Sequence, residues 1–182
     1  MNQVVLQSLN VASLLVILTA CGGEKSNTAA NTEAPIKETA STAADIPPAL
    51  FAKTPSPDAM PVSAARQSAK VGEEIALTGY IGGREEPFTE GRAMFLLADA
   101  KDAPACTDGC TTPWDACCVA AEDVAKNSAT IQVVDAEGRA LKSSLKGHNG
   151  LQPGSTVTVR GKVAQKDDAV LVVNAESIHI GM

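Results

Sequence analysis

VGEEIALTGYI, residues 71–81, and PGSTVTVRGKV, residues 153–163, spell one pattern twice: x-Gly-x-x-Φ-x-Φ-x-Gly-x-Φ, where Φ is aliphatic. Each copy opens on a glycine turn, runs on as alternating apolar and polar residues, and is interrupted by a second glycine. Alternation with a period of two marks a half-buried strand, and an isolated glycine inside such a strand marks a bulge or sharp bend. A small barrel needs long strands that coil around its core, and glycine kinks supply that curvature. The copies stand 82 positions apart (153 − 71) and share nothing further, so they do not signal a repeat array.

The text between and after the copies fits the same architecture. RAMFLLA, residues 92–98, is apolar enough for a core strand, and residues 130–134 and 140–145 flank DAEGR, a glycine-containing hairpin turn at 135–139. Residues 169–180 form a last strand, joined to the second copy across KDD at 166–168, and a short helix over 63–70 leads in. Two bent strands, a meander and a closing hairpin predict a mainly β fold: a small OB-like Greek-key barrel spanning 63–182. An open β-sandwich is the alternative. About thirty residues that a minimal barrel does not need separate its second and third strands, a Cys-rich helical insert over 101–127.

Upstream of the barrel the composition changes twice. The apolar run ending in Leu18-Thr19-Ala20-Cys21 reads as a secretory signal peptide over residues 1–20. Leu-x-Ala-Cys resembles the lipobox of bacterial lipoproteins, which implies that Cys21 is acylated and becomes the mature N-terminus. Each buried acyl methylene contributes about 0.8 kcal/mol, so several chains on Cys21 would anchor the protein stably. Gly22, rather than Asp, follows the cysteine, which by the same resemblance implies the outer membrane of a cell envelope. Residues 21–62 hold six of the ten prolines among Ala, Thr, Ser and charges, a composition that predicts a disordered tether, although Ile46 to Phe51 could instead dock on a partner or on the domain.

Residues 1–20 contain no charged side chain, so the mature chain keeps a formal charge of −6. That charge repels polyphosphate backbones. Phe51, Tyr80, Phe88, Phe95 and Trp114 are the only aromatic residues, few platforms for stacking bases. Nucleic acid is therefore not an expected partner.

The insert concentrates the chemistry. CTDGCTTPWDACC, residues 106–118, places Cys106, Cys110, Cys117 and Cys118 around Trp114. Thr112 as N-cap, Pro113 at the first helical position and Asp115 at the third predict a helix start. Trp114, Cys117, Cys118 and Ala121 would then share one face, the indole covering the cysteines. Export puts an even set of cysteines where thiols oxidise, which predicts two disulfides. Of the three connectivities, joining Cys117 to its neighbour Cys118 is strained. The other two bond each of Cys106 and Cys110 to one of that pair and staple the insert, at roughly 2–3 kcal/mol per bridge. The same four thiolates could instead hold copper or zinc, although neither half has Cys-x2-Cys spacing. Thiol redox chemistry is the third reading, without a Cys-x-x-Cys to support it.

Other polar residues read as structural. His148 lies in a turn and His179 faces outward from the last strand. Glu85, Glu86 and Glu90 form an acidic loop, and Asp99 and Asp135 look like turn initiators. No phosphate-binding glycine loop, metalloprotease helix or serine elbow occurs, so no enzyme is expected.

GYIGGR at 79–84, with Pro87-Phe88 and EGR at 90–92, together with TPWDACC at 112–118, resembles a group of uncharacterised bacterial exported lipoproteins with a Thr-Pro-Trp-Asp-x-Cys-Cys segment inside a barrel-like domain. The similarity runs over most of 70–180 and implies export and a β-barrel, but no activity. Less specifically, the barrel resembles the bacterial OB-fold family of small periplasmic stress proteins. The expectation is a lipid-anchored extracytoplasmic binding or structural module, its ligand a protein, glycan or small molecule. A copper- or zinc-handling protein is the alternative.

Overall fold

The structure is a computed structural model and describes residues 45–99 and 112–181. The signal peptide, Cys21, Cys106 and Cys110 lie outside the described residues. The first strand, β1 (Met60–Pro61), runs straight into helix α1 (Val62–Ser68). The barrel proper follows as β2 (Glu74–Ile81), β3 (Met94–Ala98), β4 (Ser128–Gln132), β5 (Thr156–Lys166) and β6 (Leu171–Ile180), with a short helix α2 (Ala121–Lys126) between β3 and β4.

The ladder runs β2-β3-β4-β6-β5, and pairing of β2 with β5 closes it into a five-stranded barrel. Within the barrel all neighbours are antiparallel except β4 and β6, which are parallel; β1 adds to β2 from outside, also in parallel. That order and the single parallel pair are the OB topology, so the open sandwich is excluded by the β2–β5 seam. Phe95, Leu97, Ile131, Val159, Val173 and Ile178 turn inward and are almost completely buried.

The two copies of the opening pattern are β2 and β5, and they pair with each other. Leu77 lies opposite Val159, its own counterpart 82 positions on, so a local twofold axis passes between them. The flanking bonds obey the same symmetry. Gly72 N donates to Val163 O at 2.8 Å, and Gly154 N to Ile81 O at 2.7 Å. Val163 N donates to Glu73 O at 2.8 Å, and Ile81 N to Ser155 O at 2.9 Å. Both internal glycines are places of close approach. A methyl on Gly79 would overlap the Ala98 carbonyl, and one on Gly161 would overlap that of Asn174. At Gly79 the outer partner of β2 changes from β1 to β3, and at Gly161 the β5–β6 register shifts.

Two expectations are corrected. Residues 140–145 are not a strand. The DAEGR hairpin forms, with Asp135 N donating to Arg139 O at 2.9 Å, but Val134 and Ala140 make only one bridge. Both edges of β4 are already taken by β3 and β6, which leaves a further strand nowhere to pair. Leu145 and Leu151 instead plug that end of the barrel, fully buried, while Val62 and Ala65 of α1 close the other. The ordered domain also begins well before residue 63. Ile46 and Leu50 join the core, Ala52 N donates to Ile178 O at 2.9 Å, and β1 pairs with β2 where β3 leaves room. Those residues, expected in the tether, are apolar enough to cover a barrel seam; only residues 21–44 of the tether lie outside the described residues.

Candidate functional site: the insert strapped over the barrel

Residues 99–127 connect the end of β3 to the start of β4. A direct connection would stay at one end of the barrel, yet Trp114 reaches the opposite end. Its indole Nε1 donates to the Glu85 carbonyl at 2.9 Å, and its own carbonyl accepts from Gly83 N at 2.7 Å. The indole also lies against the Gly154 turn. The chain then returns through α2, so the described part of the insert is a strap lying along the outer face of β2 and β3.

Glycine is required where the strap lands. Gly82 is buried, and a methyl there would overlap both the Tyr80 ring and the Trp114 carbonyl. Gly83, at φ +87°, is hemmed by Val124 of α2, Leu96 and Ala98. Tyr80, on the outward side of β2, is consequently only 5% exposed. The GYIGGR and TPWDACC segments are thus the two halves of one contact. The sequence presents both segments, but nothing in their spacing says that they touch.

The expected helix start at Thr112 is replaced by a tight turn. Thr112 Oγ1 donates to Asp115 Oδ2 at 2.6 Å instead of accepting from a backbone amide. Asp115 Oδ1 accepts from Cys117 N at 2.9 Å, an Asx turn that competes with helical bonding. Ala116 then adopts φ +54°, which ends any right-handed run. The helix starts only at Ala121. Trp114, Cys117, Cys118 and Ala121 therefore do not share a helical face. Cys117 and Cys118 are exposed on the turn beyond Asp115, while Trp114 is half-buried on the barrel.

The remaining candidates are placed as follows. His148 sits in a tight turn, and His179 Nδ1 lies 3.1 Å from the Ala52 carbonyl, covered by the N-terminal segment. Glu86 forms an exposed ion pair with Lys146 at 3.7 Å. Asp135 is a turn residue; the backbone amide of Arg139 is the main cause that holds its carboxyl below the ordinary value. Asp99 is not a turn initiator. It is 3% exposed, and its Oδ2 accepts from Ser63 N at 3.1 Å and Ser63 Oγ at 2.5 Å, capping α1 from across the barrel end. Among the described residues no three His, Cys, Asp or Glu side chains cluster as metal ligands. No helix among them is long and apolar enough to cross a membrane.

No family model and no curated protein matches this chain. Among solved structures, the hypothetical protein ygiW from E. coli is similar over 65% of this chain and 85% of its own, at 14% identity and a TM-score of 0.34.

Proposed function

We propose that this chain is an extracytoplasmic binding module, anchored in the cell envelope through acylated Cys21 and built on a barrel whose insert is clamped by disulfides. The membrane contacted is the outer one, and the partner of the module is a protein, glycan or small molecule. The observation that carries this reading is the strap. A long insert is laid over the outer face of β2 and β3, pinned through Trp114, and presents Cys117 and Cys118 at its exposed turn. Bridges from these two to Cys106 and Cys110 fix such a strap at low entropic cost. The formal charge of −6, which repels polyphosphate backbones, supports a partner other than nucleic acid.

The test is the intact mass and thiol content of the full-length gene product recovered from the envelope without reductant. Two disulfides lower the mass by about 4 Da and leave no alkylatable thiol. Four alkylatable thiols, or stoichiometric copper or zinc on thiolates, would overturn the clamp in favour of metal handling. Incorporation of labelled palmitate that disappears in Cys21→Ser tests the anchor separately.

A further inference from the structure

At the barrel end closed by α1 lies an open cleft of about 770 Å³, a volume within the range of small-molecule sites. Arg66, Lys70, Lys126 and Lys166 line it against Asp167 and Asp168, four cations to two carboxylates, in a chain whose formal charge is −6. One of the two carboxylates is less available than the count implies. Asp167 already accepts from Gln165 Nε2 at 3.1 Å, Ala169 N at 2.9 Å and Val170 N at 2.8 Å. Arg66 braces the wall, donating to the Ser128 carbonyl at 3.2 Å and the Asp168 carbonyl at 2.9 Å. Among the described residues Lys70 and Lys166 enter no ion pair, and Lys126 meets only the exposed Asp123 at 3.6 Å.

The local twofold axis sharpens the contrast. It relates the Val71-Gly72 turn, beside this cleft, to the Pro153-Gly154 turn at the opposite end. The latter is covered by Trp114, whereas the space beside Gly72 is empty and Val71 is 62% exposed. Among the described residues, the symmetry-related turns thus differ in that Trp114 lies against one, while nothing approaches Gly72 in the other, beside the lysine-lined cleft.

We propose that this cleft is a binding site for a phosphate-bearing ligand with a short apolar portion, either a free phosphomonoester or a phospholipid headgroup. Lysine ammonium groups serve as point charges for the phosphate, and Val71 supplies the apolar shoulder. The proposal names a ligand class for the binding-module reading and rests on it, but its readout involves neither the cysteines nor acylation.

The full chain carrying Cys21→Ser, which removes the acylation site, is titrated with glycerol 3-phosphate while the backbone amides of Lys70, Val71, Asn127 and Lys166 are followed by NMR. Its co-sedimentation with phosphatidylglycerol and with phosphatidylcholine vesicles is measured alongside. Two variants of equal net charge are compared, Lys126→Glu with Lys166→Glu inside the cleft and Lys142→Glu with Lys162→Glu outside it. The expected result is saturable shifts at those amides, with affinity reduced about tenfold or more in the cleft variant and retained in the other. Binding to phosphatidylglycerol vesicles alone, with the same variant pattern, supports the proposal and identifies a headgroup as the source. Absence of binding in both arms overturns it, as does an equal loss in the two variants, which would mean diffuse electrostatics.

Discussion

Gly161 is the residue at which backbone packing is least forgiving. The Asn174 carbonyl occupies the place of a side chain, and backbone cannot rotate aside as a flexible side chain can. Gly161→Ala should therefore destabilise the barrel by about 1–3 kcal/mol, the range for overpacking, measured as a lower urea midpoint. Gly138, with open space around it, is the contrast: its φ of +79° makes alanine strained but clash-free, so Gly138→Ala should cost less. A second residue-scale effect is electrostatic. Asp167 has its carboxyl held below the ordinary value of 3.8, first by the Gln165 side chain and then by the Val170 and Ala169 amides. A depressed folded value means that the stabilisation is present above the unfolded value and is lost as pH falls through the folded one. Asp167→Asn should accordingly flatten the acid limb of a stability-against-pH curve below about pH 4 and leave the neutral-pH slope unchanged.

At the scale of elements, α1 and the strap are each held by a few long-range contacts. The seven residues of α1 are too few to persist alone; burial of Val62 and Ala65 and the Asp99 cap hold it in place. Asp99→Ala leaves the Ser63 amide and hydroxyl without their acceptor, and a loss of about 1–3 kcal/mol in thermal or urea melts is expected. For the strap, Trp114→Ala removes the indole bond to Glu85 and should raise amide exchange in residues 112–127 well above that of the barrel strands. Exchange that stays uniform would mean that other contacts hold the strap. These elements also show where the sequence was readable. β2 was legible because an alternating run follows the Gly72 turn and contains the kinking Gly79. The Thr112 helix was misread because Thr-Pro-Trp-Asp fits a capping pattern and an Asx turn equally well. Only the backbone at Ala116, in a left-handed conformation that alanine does not advertise, decides between them. Asp99 was misread for a related reason: its partner Ser63 is 36 residues away, and no local pattern records such a pairing.

For the whole molecule, barrel closure was legible and the boundary of the domain was not. The echo between β2 and β5 announces two strands of one shape, and strands of one shape can pair about a twofold axis, as Leu77 and Val159 do. Residues 45–61, by contrast, have the proline and alanine content of a linker, and their few apolar side chains matter only because the barrel leaves a seam. β3 pairs with β2 only at Tyr80 and Ile81, so the lower half of β2 would face water without β1. Beyond the end of β4, β6 would likewise lack a neighbour at Ile178 on its β4 side without Phe51. Ile46 and Leu50, 4% and 5% exposed, fasten the wrap. Burial of two such side chains is worth roughly 3–6 kcal/mol together, a large share of the 5–15 kcal/mol typical of a whole domain. Ile46→Ala with Leu50→Ala in the full chain should therefore lower the melting temperature by about 10 °C or more and expose β2 and β6 amides to exchange. If the pair melts within about 2 °C of the parent, the wrap is dispensable and the barrel is stable from α1 onward. A chain beginning at Val62 separates the cases again, since it should aggregate through its bared strand edges if the wrap is structural and stay monomeric if it is not.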